Sequence, residues 1–192
     1  MQKTPEFDKW IRKIKDIRAK AKILFRIQKL ESDGHFGDFK YVGNGIKELR
    51  INYAKGYRVY YKEIENGIVI LLIGGDKSTQ QNDIIKANEI WKRIKRIDMM
   101  TSQLDIADYL DSEELIAEYL NTVIEEGEIK DLVVALGHVA KAIGMTKIAE
   151  KTGMSRPSLY KALSDGSKPQ FETIMKVLEA IGGQINVKPI SA

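Results

Sequence analysis

The chain has no cysteine, two histidines and four prolines among its 192 residues. Without cysteine there can be no disulfide, no thiolate zinc site and no cysteine nucleophile. This usage is compatible with a reducing compartment. His35 and His138 lie in separate halves, so they form no metal-binding pair and are read as structural or surface residues. The stretch MQKTPEFDKWIRKIKD at the N-terminus lacks an apolar core of signal-peptide length. The apolar run GIVILLIGG is far too short to span a membrane. No internal repeat and no low-complexity segment occurs. These absences lead us to expect a soluble, cytoplasmic protein with no membrane partner, no metal and no other cofactor.

Charge of one sign is missing from a whole segment. Between Arg96 and Lys130 there is no Lys or Arg, whereas ten residues are Asp or Glu. Residues 1–98 carry 22 basic and 13 acidic side chains; residues 99–192 carry 9 and 14. The formal charge of +4 therefore averages a basic half and an acidic half. A basic surface favours polyanions such as RNA or DNA, and the acidic half is a plausible partner for the basic one. At 43% hydrophobic residues, the chain can bury one large core or two small ones.

The first half predicts a small α+β domain. Phe7, Trp10, Ile11, Ile14 and Ile17 recur at helical spacing, as do Ile23, Leu24, Ile27 and Leu30, so residues 5–32 should form two helices, the second stopped at Asp33-Gly34. The basic run from Arg12 to Lys22 reads as a solvated helix face. After the turn signal Gly43-Asn44-Gly45, the segments IKELRIN, YRVYYKEI and IVILLIGG read as strands, with Asn66-Gly67 as a hairpin turn. A last helix is expected from about Thr79 to Ile97. Helices should cover one face of an antiparallel sheet, leaving the other partly open. Arg50, Arg58, Tyr60 and Lys77 would then converge on the open face. Such a cluster suits a phosphodiester: guanidinium groups donate to phosphate in a planar fork, and tyrosine can stack on a base.

The segments GDFKYVGNGIKELRI, GYRVYY and LLIGGDKSTQQNDIIKA resemble the HigB branch of the RelE/ParE toxin superfamily, over nearly all of residues 1–97. The resemblance implies a RelE-like fold and a ribonuclease that cuts messenger RNA, usually on the ribosome. It also implies a metal-independent reaction, in which the ribose 2′-hydroxyl attacks the adjacent phosphate. Arg58 matches the family's phosphate-binding arginine, and Lys77 and Arg50 match basic positions. No tyrosine follows Lys77 in this half, a departure from RelE proper that leaves the general acid or base unassigned, with Tyr60 as one candidate.

The second half predicts helices. Asp111 and Glu114 have the spacing of a capping box before the stripe Leu115, Ile116, Tyr119, Leu120 and Val123. Another helix should span 129–143. In MTKIAEKTGMSRPSLYKAL, Ala149, Gly153 and Leu159 fall at the spacing of a Cro/cI-type helix-turn-helix, with Ser155 as N-cap. A further helix and a short final strand should follow. Residues 104–188 resemble the HigA-like addiction module antidote family, particularly through GMSRPSLYKALS. A recognition helix from Arg156 to about Ser164 would place Ser155, Arg156, Ser158 and Lys161 against DNA, as part of a homodimer on a palindromic operator.

The expected division is thus 1–98 and 99–192, with 99–143 as acidic helices facing the toxin and 144–192 as the DNA-binding part. Met100 marks the apparent start of the second partner. The expected function is a toxin–antitoxin pair in one chain. Two alternatives keep the same folds: a catalytically dead toxin fold serving a repressor, and a ParE-like gyrase poison. Leu115, Ile116, Tyr119 and Leu120, rimmed by Glu113, Glu114 and Glu118, are the expected contact with the toxin half.

Overall fold

The computed structural model describes residues 1–33, 37–64, 67–97 and 101–186. Within them the chain forms two compact units, Met1–Tyr109 and Leu110–Ala192. Residues 101–109 thus fold with the first unit, beyond the expected division at 98/99. The expected roles of His35, Asn66 and Met100 fall outside the described residues.

The first unit is built on a six-stranded mixed sheet, ordered β2-β3-β4-β5-β1-β6. Its strands are β1 (Gln2–Lys3), β2 (Phe39–Gly43), β3 (Ile46–Ile51), β4 (Tyr57–Glu63), β5 (Val69–Asp76) and β6 (Ser102–Gln103). Strands β2 to β5 run antiparallel, as expected, but β1 pairs parallel to β5, which makes the sheet mixed. Asn44 and Gly45, with φ of 52° and 68°, supply the left-handed pair that a tight β2–β3 hairpin requires.

Three helices accompany the sheet: α1 (Pro5–Arg12), α2 (Ile17–Asp33) and α3 (Gln80–Ile97). Thr4 caps α1 by accepting from the Phe7 amide, and Pro5 occupies its first turn. The two helices expected over 5–32 are separated after Arg12. The second starts after Asp16, whose carboxylate accepts from the Ala19 amide at 3.0 Å.

The open face is where expectation and structure part. Adjacent residues of β5 point to opposite faces, and each is covered by a different helix. Trp10 of α1 lies so close over Gly74 that a Cβ there would collide with its ring. Asp83 of α3 excludes a Cβ at Gly75 in the same way. Helix α3 presents Ala87 and Ile90 to Ile46, Tyr60, Ile70 and Leu72, covering the face that was expected to be partly open. Polar residues on that face had suggested solvent, but Glu48, Arg58 and Tyr60 are all buried, with the Glu48 carboxylate hydrogen-bonded to Tyr60 and ion-paired with Arg58.

The second unit is helical: α4 (Glu113–Glu126), α5 (Ile129–Ile143), α6 (Met145–Thr152), α7 (Arg156–Ala162) and α8 (Phe171–Ala180). Ser112, not Asp111, is the N-cap of α4, because its hydroxyl accepts from the Leu115 amide. The carboxylate at the N3 position of a helix belongs instead to α5, where Asp131 accepts from the Glu128 amide at 2.7 Å. Leu136, Val139, Ile148, Leu159 and Val177 form the apolar centre. Gly137 lets α5 approach the end of α7, since a Cβ there would sit 2.8 Å from the Leu163 carbonyl oxygen. No strand forms over 184–186, and the rest of the expected final strand lies outside the described residues. Among the described residues, no single helix is long and apolar enough to cross a membrane.

Candidate functional site

The alternation of β3 and β4 brings three of the four expected site residues together. Arg50 and Arg58 are direct partners across the antiparallel ladder, and Glu48 faces Tyr60 two residues away. Two guanidinium groups directly opposite each other repel. Glu48, fully buried, lies between them: Arg50 Nε donates to its Oε1 at 3.0 Å, and Arg58 Nε stands 3.4 Å from the same oxygen. The other carboxylate oxygen accepts from the Tyr60 hydroxyl at 3.2 Å and from Gln80 of α3 at 2.7 Å. One carboxylate thus orders two arginines, a phenol and the first turn of α3.

Each expected residue occupies a distinct position in this cluster. Arg58 is 8% exposed, and its Nη1 donates to the Gly56 and Tyr57 carbonyls, which fixes the guanidinium plane. Arg50 is partly exposed and reaches towards Asp38. Lys77 is exposed beyond the end of β5, and its amide donates to the Lys55 carbonyl across the strand ends. Gly56 sits between Arg58 and Lys77, in contact range of both. Tyr60 differs from expectation. It is wholly buried beneath α3, and burial together with the Glu48 charge pushes its ionisation up. A phenol so placed holds Glu48 in position and does not face a bound strand.

A cleft at the same end of the sheet was not singled out in the sequence. It encloses about 340 Å³ and is lined by Trp10, Lys13, Lys15, Lys55, Tyr57 and Asp76, among others. The break between α1 and α2 creates it. Lys13 and Lys15 leave the helix face on which they were placed and stand at the mouth of the cleft. Asp16, a residue of helix-capping type within the basic run, was the available signal for that break. Lys55 pairs with Asp76 at 2.7 Å and lies over the Tyr57 ring at 5.2 Å. Hydrogen bonds from Lys55 and Ser78 hold the Asp76 carboxyl down at about 2, so it stays ionised. Tyr57 and Arg58 are consecutive in β4 and point to opposite faces. The cleft and the arginine cluster therefore meet at one sheet end, around Gly56 and Lys77. Three lysines, two arginines and the half-buried ring of Trp10 can bind phosphates and stack a base, whereas Tyr57 is buried beneath Lys55. Among the described residues, no cluster of His, Cys, Asp and Glu has the makings of a metal site.

In the second unit, α6 and α7 are joined by a tight turn through Gly153, at φ 68°. Leu159 is fully buried and pins α7, while Ser155, Arg156, Ser158 and Lys161 are exposed along its start and outer side. Ser155 caps α7: its oxygen accepts from the Ser158 amide at 3.3 Å, and its hydroxyl donates to the Ser158 hydroxyl at 2.8 Å. Arg156 and Lys161 are the charged residues left to reach outward. Of the residues expected to face the toxin half, Leu115, Tyr119 and Leu120 are buried and Ile116 is half-buried. The Tyr119 hydroxyl lies 3.0 Å from His138 of α5. Ile116 and Leu120 line a groove of about 520 Å³ with residues of α6 and α8.

The chain matches a toxin-like domain in its first half and an antidote domain in its second, the make-up of a toxin–antitoxin module. It belongs to two families, one in each half: residues 9–95 match phage-derived Gp49-like proteins, and residues 100–189 match probable addiction module antidote proteins. An uncharacterized protein of Haemophilus influenzae is 56% identical over 84 residues, which is 44% of this chain and 84% of that relative. A second uncharacterized protein of the same organism is 46% identical over 92 residues, 46% of this chain and 95% of its own length. No solved structure matches the chain.

Proposed function

We propose that the first unit is a metal-independent messenger-RNA endonuclease acting on the ribosome, and that the second neutralises it and represses transcription as an operator-bound dimer. The observation that carries this is the pair Arg50 and Arg58, opposed across β3–β4, ordered by Glu48 and flanked by Lys77. In such a reaction the RNA 2′-hydroxyl attacks its own phosphate, the 5′-oxygen leaves, and negative charge builds on the phosphorus oxygens. Fixed guanidinium groups stabilise that charge without reorganising. Trp10 would stack a flanking base, and Lys13, Lys15 and Lys55 would hold the backbone. Exposed Arg156 at the start of α7 would read a guanine edge, and Lys161 would contact phosphate. This reading needs a cytoplasmic location, where both ribosomes and operator are found.

Expression of residues 1–98 alone, with transcript ends sequenced, tests the toxin half. Cuts confined to translated messages are expected. Growth arrest with a DNA-damage response and intact messages would point to a gyrase poison instead. A harmless first half would leave a dead toxin fold serving a repressor.

A further inference from the structure

The match to antidote proteins begins at residue 100, yet Thr101–Tyr109 is folded into the toxin-like unit. Strand β6 pairs antiparallel with β1, Gln2 opposite Gln103 and Lys3 opposite Ser102. Without it, β1 would end the sheet as an unpaired edge. The Leu104 amide extends the ladder to the Met1 carbonyl at 3.2 Å, and the Thr101 hydroxyl donates to Gln2 at 2.6 Å. A short 3-10 turn, Ile106–Tyr109, follows. Leu104, Ile106 and Tyr109 are buried, Tyr109 completely.

Tyr109 makes the most specific contact. Its hydroxyl donates to Asp8 at 2.8 Å and accepts from Lys3 at 2.9 Å, so both of its hydrogen-bonding roles are filled. Lys3 and Arg12 lie 4.7 and 5.0 Å from the ring centre, within cation–π range, and Arg12 also donates to the Asp108 carbonyl. A tether demands only that the chain pass nearby. It does not demand a paired strand, two apolar plugs and a fully satisfied tyrosine at the far end. The pattern is that of strand addition: main-chain bonds supply register, and side-chain sites supply specificity.

We propose that residues 101–109 are the antidote half's anchor, a strand-and-tyrosine latch that holds it to the toxin-like unit even when the covalent connection is cut. The inference rests on the two halves acting as toxin and antidote, and it is independent of what reaction the toxin performs.

The test uses the full chain with a protease site placed between Ile97 and Thr101 and cleaved after folding. The cut halves should stay together in gel filtration. Tyr109→Phe should weaken the dissociation constant several-fold, and Tyr109→Ala at least a hundredfold, with each half retaining its circular dichroism. A peptide of residues 101–111 in excess should displace the antidote half from the cut wild type, and the same peptide with Tyr109→Ala should not. That competition leaves both halves unmutated, so a folding defect in the variants cannot decide the outcome. Separation of the cut wild-type halves, or equal retention in the Tyr109→Ala chain with no displacement by peptide, would overturn the proposal.

Discussion

Glu48 is the residue on which the candidate site turns. It is wholly buried, yet its two oxygens are met by Arg50, Arg58, Tyr60 and Gln80. Arg58→Ala removes one of four partners, so the carboxylate keeps enough company for the unit to fold. Its cost should fall on the reaction: about 3 kcal/mol of transition-state stabilisation, or roughly a hundredfold in rate, by comparison with the loss of one oxyanion donor. Transcript cleavage by the isolated first half measures this, and full cleavage by a folded Arg58→Ala protein would take Arg58 out of the site. Lys77, exposed at the rim, should cost less when replaced by Ala. Glu48→Ala should act in the opposite way, through stability. It leaves the buried Arg58 without its carboxylate partner, opposite an Arg50 that keeps only the more distant Asp38, a loss on the order of 3–5 kcal/mol by analogy with broken buried ion pairs, read as a lower midpoint in denaturant. The residue types of this cluster were legible in the alternation of ELRI and YRVYYK. Its burial was not, because a strand face of Glu, Arg and Tyr has the same pattern whether water or a helix covers it. Only the contact of α3 with Ile46, Tyr60 and Leu72 decides the matter.

At the scale of elements, apolar periodicity located most of the long helices, including α5 over Ile129–Ile143. It did not locate β1 or β6, because two residues are too few to show a period, and such strands exist only through their partners. The Gly74-Gly75 pair carries a constraint that periodicity does not express. Helices press on β5 from both faces there, so Gly74→Val should clash with Trp10 and destabilise the first unit by about 1–3 kcal/mol, as overpacked cores do. A thermal melt of the full chain would show it, and an unchanged melt would mean that α1 can lift away freely. Helix α7 separates two kinds of contact in the same way. Arg156→Ala should relax preference at one base position per half-site by about 1–3 kcal/mol, whereas Lys161→Ala should weaken all sequences alike. Binding to an operator and to scrambled duplexes distinguishes them. An equal loss on both duplexes for Arg156→Ala would make Arg156 a phosphate contact.

For the whole molecule, the charge change near residue 97 marks a boundary in sequence, but the fold carries the first unit on to Tyr109. Asp8 joins the two stretches chemically. Burial alone would raise its pKa, but hydrogen bonds from Lys3, Arg12 and Tyr109 outweigh that and hold it at about 2. A carboxyl depressed in the folded state stabilises above its unfolded value, near 4, and loses that contribution as pH falls towards 2. Lys3 and Arg12 keep their bonds to Asp8 when the arm leaves, so only the Tyr109 share bears on attachment, which should be flat from pH 7 to 5 and weaken between about 4 and 2 by on the order of 1 kcal/mol or less. Asp76 is held equally low in the same unit, so acid will also loosen the Lys55 contact. The two are separable, because Asp8→Asn should abolish only the acid sensitivity of the arm. Retention of the protease-cut halves, followed by gel filtration across that range, gives the comparison. Identical acid profiles in wild type and Asp8→Asn would show that Asp8 does not fasten Tyr109, and that strand pairing with β1 alone holds the arm.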